Sequence, residues 1–317
     1  MRITSDVHGL ERVARSPDSV HAFSAVDYPG GWNRRLRLLF SALESDHLVL
    51  HFALPDVLLF STLLTLLPFH RCRLTTLDFF VGELAGARLF AVRWALRRVH
   101  RCLVYFKDTS VFERLLHVPP SKFRYIPFKI NAQELIANAR SRDDGYIFCG
   151  GHSRRDFATF FAAVESLHFP VKMITSTEAE MKPHGSSLAG LAVPSNVEIF
   201  TRDRSAEFFV RTMAAARLVV IPLVADSTTQ AGIGVCLQAL ALGKCVVVST
   251  SRGISDVLSG REAIIVPAGD VDALRTAIRR AWDNPTVREQ YGAAGKRYAL
   301  PLGGEDELRR SILAALE

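Results

Sequence analysis

The sequence predicts an α/β protein made of two doubly wound parallel-sheet domains. Three observations carry that expectation. Short apolar runs alternate with helix-length segments in two successive series, the pattern of βαβ units. The chain has 317 residues and is 49% hydrophobic, which fills two cores at the usual ~100–200 residues per domain. Polar, glycine-bearing turns stand where strands give way to helices, the place where such sheets bind ligands.

The first series opens with the run Val20–Ala25 and a turn on Pro29, Gly30 and Gly31. Apolar residues at helical spacing follow over Trp32–Leu43. Then come a strand His47–Phe52, a helix from about Asp56, a strand Arg73–Phe80, a helix near Ala87–His100, and strands at 102–106 and 123–128. The polar stretch "NARSRDDG" separates the series. The second series reads strand Tyr146–Gly150, helix Asp156–Leu167, strands "VKMIT" and "VEIF", helix Ser205–Ala215, and strand "RLVVIPL". A helix and strand within Asp226–Ser249 follow, then strand "EAIIVP". Asp270 is placed to cap the next helix, and two further helical segments end the chain.

Net charge is +7 without a long Lys/Arg block, which argues against nucleic acid and for a smaller anionic partner or surface. The five cysteines are scattered, odd in number and lack a CxxC pair, so reduced core thiols are expected and a zinc site is not. The first residues, "MRITSDVHGLERVARS", show no apolar leader, so a cytoplasmic location is expected. The most apolar window, Phe52–Phe69, is broken by Pro55 and Asp56 and reads as a buried helix.

Two turns carry the chemistry. In "DSTTQAGIGVCLQALALGKCVVVS", Gly232 and Gly234 lack a Cβ and precede a helix whose first N–H groups suit phosphate. Ser227, Thr228 and Thr229 add hydroxyl donors. The plain structural reading is a tight turn and a capped helix, closed at the far end by Gly243 and Lys244. In "YIFCGGHSRRDFATFFAAV", a strand ends at Gly150-Gly151 and a polar turn carries Arg155, whose planar guanidinium matches phosphate geometry. Asp156 is equally able to cap the helix.

The second half, about Gly145–Ala299, resembles the nucleotide-sugar domain of GT-B glycosyltransferases of the retaining family-4 type. The matching pieces include "FCGGHSRRDFATFFAAV", "VEIFTRDRSAEFFVRTMAAARLVVIPL", "GIGVCLQALALGKCVVVST" and "RGISDVLSGREAIIVPAGDVDALRTAI". The resemblance implies two Rossmann-like domains facing a cleft. Residues 1–139 would form the acceptor-side domain and 140–300 the nucleotide-sugar domain, with the helix of 301–317 packing back on the first. It implies a UDP- or GDP-sugar donor, no further cofactor, no metal, and a glycan or lipid-linked acceptor. The family's two site glutamates fall on Gln230, which would face the transferred sugar, and Gln238, which would face the ribose. Amides still pair with hydroxyls but bring no negative charge. Gly151 stands where the family carries its first arginine, and Arg155 matches its phosphate-binding lysine.

In the first half, Gly30 and Gly31 resemble the family's glycine loop near the donor phosphates, against the plain reading of a turn. His51 and Asp78 end strands and are catalytic candidates, against the plain reading of satisfied strand residues. Along Ala87–Arg101, Leu89, Val92, Leu96 and Val99 form one stripe, with Arg88, Arg93, Arg97, Arg98 and Arg101 around it. That is either a solvated face or an interfacial helix meeting an anionic membrane surface. The expected function is sugar transfer with retention. The rivals are a catalytically degenerate binding or assembly partner and a nucleotide-sugar epimerase of the same fold.

Overall fold

A computed structural model describes residues 1–28, 31–67, 71–78, 85–225 and 231–317. The chain forms two compact units, Met1–Pro127 with Asp306–Glu317, and Phe128–Glu305.

Unit 1 contains β1 (Ile3–Ser5), β2 (Val20–Ala22), α1 (Gly31–Ala42), β3 (His47–His51), α2 (Leu54–Leu66), β4 (Arg73–Leu77), α3 (Gly86–Arg98), β5 (Val99–Val104), α4 (Ser110–Leu116) and β6 (Phe123–Tyr125). The strands pair in parallel in the order β2-β1-β3-β4-β5-β6. Sequence alone did not reveal β1. It is three residues long and only Ile3 is apolar, yet all three residues are buried at the middle of one flank of the sheet. α2 takes Pro55 in its first turn, where a missing N–H costs nothing, and buries Val57, Phe60 and Leu64. α3 buries Val92 and Leu96 and runs into β5 at Val99 with no intervening loop. No described helix is long and apolar enough to cross a membrane.

Unit 2 contains α5 (Gln133–Asn138), β7 (Ile147–Gly150), α6 (Phe157–Glu165), β8 (Val171–Ile174), α7 (Glu178–Met181), β9 (Val197–Phe200), α8 (Ala206–Ala214), β10 (Leu218–Ile221), α9 (Ile233–Ala241), β11 (Val246–Ser249), α10 (Arg252–Val257), β12 (Ile264–Val266), α11 (Val271–Asp283) and α12 (Pro285–Ala299). The parallel order is β12-β11-β10-β7-β8-β9. Alternate strand residues feed two cores. Phe148, Val219 and Val246 face one helical layer, and Ile147, Leu218 and Val247 face the other. Helices on both faces explain strands that are apolar throughout. Asp270 caps α11 by accepting from Ala273 N at 2.9 Å. All five cysteines are buried thiols outside any disulfide. The last helix, α13 (Glu305–Leu316), lies in unit 1 from Asp306 onward, where Arg309 Nε donates to His8 O at 2.9 Å.

Each sheet reverses its winding once, between β7 and β10 in unit 2 and between β1 and β3 in unit 1. The carboxyl ends of the strands beside such a reversal form the crevice where doubly wound folds bind ligands.

Candidate functional site

At the β7/β10 reversal the two post-strand turns are stitched together. Asp156 N donates to Pro222 O at 3.2 Å, Val224 N donates to Arg154 O at 3.1 Å, and Arg155 pairs with Leu223 as an isolated antiparallel bridge. Arg155 is only 4% exposed. Its Nε donates to Gly150 O at 3.0 Å, its Nη1 to Ser153 O at 2.9 Å, and its backbone N to Ser186 Oγ at 2.7 Å. Nη2 has no hydrogen-bond acceptor among the described residues, and no described carboxylate pairs with the guanidinium. Burial pulls its pKa down to about 10, offset slightly by the Cys149 and Cys236 thiols, so it is still cationic at neutral pH. A buried charge without a counter-charge is costly, and carbonyl dipoles compensate only part of that cost. An anion would supply the rest.

Gly151 makes this arrangement sterically possible. It sits at φ +98°, and a Cβ there would lie 2.4 Å from Arg155 Nη2. Asp156 caps α6 by accepting from Thr159 N at 3.0 Å, which is its plain structural role. Nearby, the rings of His152 and His184 pack edge to face at 4.9 Å.

The loop after β10 enters α9 through Gly232, the N-cap residue, at φ +85°. A Cβ at Gly232 would lie 2.9 Å from Leu223 Cδ1, and one at Gly234 would lie 2.8 Å from Asn131 Nδ2. The missing side chains at these two positions therefore serve close packing of protein on protein. The N–H groups of Ile233, Gly234 and Val235 fall in the first turn of α9, where the helix itself supplies no acceptor. Gln238 is buried, and its Nε2 donates to Asn131 O at 3.1 Å, with no described donor on its Oε1. Thr228, Thr229 and Gln230, with Asp226 and Ser227, lie outside the described residues. Gly243 closes α9 at φ +71°. The Lys244 ammonium does not sit on that helix end. It is buried against Arg142 O at 2.6 Å and Ala216 O at 2.7 Å, and burial lowers its pKa to about 8.

In unit 1 the β1/β3 reversal holds a charged cluster. His51 ends β3, and Asp6, one residue past β1, accepts from His51 N at 2.8 Å and lies 3.1 Å from His51 Nδ1. Arg34, in the first turn of α1, stands 3.7 Å from Asp6 and 3.1 Å from Asp56. Arg35 meets Asp56 at 2.6 Å. Gly31 begins α1, Gly30 lies outside the described residues, and Asp78 follows β4 at φ +58°. Sequence reasoning named His51 as a site candidate but did not name Asp6, Arg34 or Asp56 as one. The available signal was an aspartate directly after the run "ITS", which only the unrecognised β1 would have made meaningful. Among the described residues no group of three or more His, Cys, Asp or Glu could hold a metal ion.

Two doubly wound six-stranded parallel units define an α/β protein of the GT-B type. Residues 146–284, which contain both stitched turns, match the family model described as glycosyl transferases group 1. No curated protein matches the chain in sequence. Among solved structures, HepE of Anabaena in complex with UDP-glucose is similar at a TM-score of 0.69 and 14% identity, covering 100% of this chain and 99% of its own. Sucrose-phosphate synthase from Thermosynechococcus elongatus is similar at 0.65 and 16% identity, covering 89% of this chain and 76% of its own. A glycosyltransferase from Rickettsia africae is similar at 0.67 and 11% identity, covering 99% and 88%. At these identities the likeness is one of fold.

Proposed function

We propose that this protein transfers a sugar from a UDP- or GDP-sugar to a glycan or lipid-linked acceptor, with retention at the anomeric carbon. One observation carries the reading. Arg155 is a buried cation without a described carboxylate partner, stitched at the β7/β10 reversal to the loop that enters α9. That constellation falls inside the stretch matching the glycosyl transferases group 1 model. A solved neighbour that binds UDP-glucose shares the fold.

In this reading the donor diphosphate meets Arg155 and the first-turn N–H groups of α9. Negative charge grows on the departing diphosphate as its bond to the sugar breaks. Fixed donors aimed at that charge lower the barrier without a protein nucleophile. They act where other folds use a divalent ion. Thr228 and Thr229 are the proposed hydroxyl donors, Gln230 the residue facing the sugar, and Gln238 Oε1 the acceptor for the ribose. His51, oriented by Asp6, and Asp78 are the proposed catalytic groups of unit 1, with Gly30 and Gly31 as its phosphate-side turn.

The amides at Gln230 and Gln238, and the bond from Gln238 to Asn131, favour a degenerate binding protein as the second reading. One experiment separates the readings: a thermal-shift panel of nucleoside diphosphates, followed by assays of donor hydrolysis and transfer. Transfer or hydrolysis supports the enzyme. A melting shift without turnover supports the binding protein, and an epimerised donor supports an epimerase. No shift with any nucleotide overturns both the enzyme and the binding reading.

A further inference from the structure

Unit 1 holds a second concentration of positive charge, at the opposite ends of its strands from His51 and Asp78. A cavity of about 430 Å³ is lined by Arg71, Arg73, Arg97, Arg98, His100 and Lys122, with Cys72 and Val99 completing its wall. Among the described residues no acidic one lines it. Arg73 begins β4 and His100 is the second residue of β5, so the cavity opens at the amino ends of these strands. The five residues of β4 separate it from Asp78 by about 13–17 Å at ~3.3 Å per residue.

The helix above accounts for only one of these charges. Lys122 Nζ donates to Leu96 O at 2.7 Å and Arg97 O at 3.0 Å, which satisfies the carbonyl end of α3. The remaining arginines are surplus to that task. None of Arg71, Arg73, Arg97 or Arg98 has a carboxylate partner among the described residues. Arg97 stacks instead over Trp94, 5.4 Å from its ring centre. Asp46 is the neighbouring carboxylate, and it is engaged by Arg2 N at 2.7 Å. Beside the cavity, His47 pairs in register with Arg73, and its buried Nδ1 has no hydrogen-bond partner among the described residues.

We propose that this cavity binds a phosphoryl group, at a site separate from the donor site of unit 2. The four exposed arginines line one open cavity together, so they suit a compact polyanion. A carboxylate would neutralise one of four guanidinium groups that lack a carboxylate partner among the described residues. A phosphate monoester or diester head offers several acceptor oxygens in the geometry that arginine pairs bidentately. Burial first, and then the charges of Arg73, Arg101 and Lys122, hold His100 below the ordinary histidine range. The phosphoryl group belongs either to a soluble compound or to a lipid head. Phe90, 70% exposed, and Trp94, 38% exposed, lie on the same helix as Arg97 and Arg98.

Calorimetry with inorganic pyrophosphate and sedimentation with vesicles containing phosphatidic acid test this, on the wild type, on Arg155→Ala and on Arg71→Gln/Arg73→Gln. Both substituted arginines of the last variant are exposed, and circular dichroism checks its fold. We expect a binding event that survives Arg155→Ala and weakens about tenfold or more in the double variant, as two charge-assisted contacts are lost. Pyrophosphate binding identifies a soluble ligand. Binding only to phosphatidic acid vesicles, and not to pure phosphatidylcholine, identifies a lipid head. An undiminished affinity in the folded double variant, or no binding to either probe, overturns the proposal. None of these outcomes depends on the sugar-transfer reading.

Discussion

The guanidinium of Arg155 occupies the space that a side chain at Gly151 would fill, with only 2.4 Å between Nη2 and an ideal Cβ. The glycine and the arginine are therefore one device. Gly151→Ala is expected to displace the guanidinium and to strain a backbone held at φ +98°. Nucleotide affinity should fall about tenfold or more, and the melting temperature should fall with it. Calorimetry and a thermal melt check the two effects separately.

Arg155→Ala is expected to weaken nucleoside diphosphate binding roughly tenfold to a hundredfold, the loss of a charge-assisted contact of about 1.5–3 kcal/mol. The variant also strips donors from Gly150 O and Ser153 O, so some stability is lost as well. Arg155→Lys should recover part of the affinity but not the bonds to both carbonyls. Equal affinity in all three proteins would remove Arg155 from the site.

Much of this was legible in the sequence, and the exceptions have physical reasons. The turn "CGGHSRRD" announced a strand end and an arginine placed to meet an anion, but not the positive φ of Gly151. It could not announce that Arg155 would be buried against its own turn, because that depends on the pairing with Leu223 some seventy residues on. The glycines of "AGIG" were legible as close approaches, but the approaching groups are Leu223 and Asn131. Lys244 read as a helix-end charge, while its ammonium satisfies two carbonyls of distant segments. β1 was invisible because a central three-residue strand with one apolar side chain has no period to detect.

Gly232→Val should act on the fold before it acts on any ligand. A branched side chain at φ +85° meets Leu223 and Ile221, and a cost of about 2 kcal/mol or more is expected. Denaturant unfolding measures it. Gln238→Ala should cost about 1 kcal/mol of stability through the lost bond to Asn131. A further loss of nucleotide affinity in that variant would assign Oε1 to the ribose.

Acidification below pH 6.5 should destabilise the protein through the buried His47 and the half-buried His152. His47 is held below 6.5 by burial and then by the charges of Arg73, His100 and Arg101, which outweigh Asp46. His152 is lowered by burial and then by His184 and Arg155. The unfolded chain therefore binds more protons than the native one as pH falls through 6.5, and stability rises with pH across that window. Melting temperatures from pH 7.5 to 5.5 should decline, and His47→Gln should flatten the decline. A wild-type profile without slope in this range contradicts the assignment.

The central claim is that the Arg155 turn and the start of α9 together hold the donor diphosphate. A crystal structure with a bound nucleoside diphosphate tests it most directly. The account predicts phosphate oxygens within hydrogen-bond distance of the Arg155 guanidinium and of the backbone N–H groups of Ile233 and Gly234. Diphosphate density elsewhere, with both left unengaged, would contradict it.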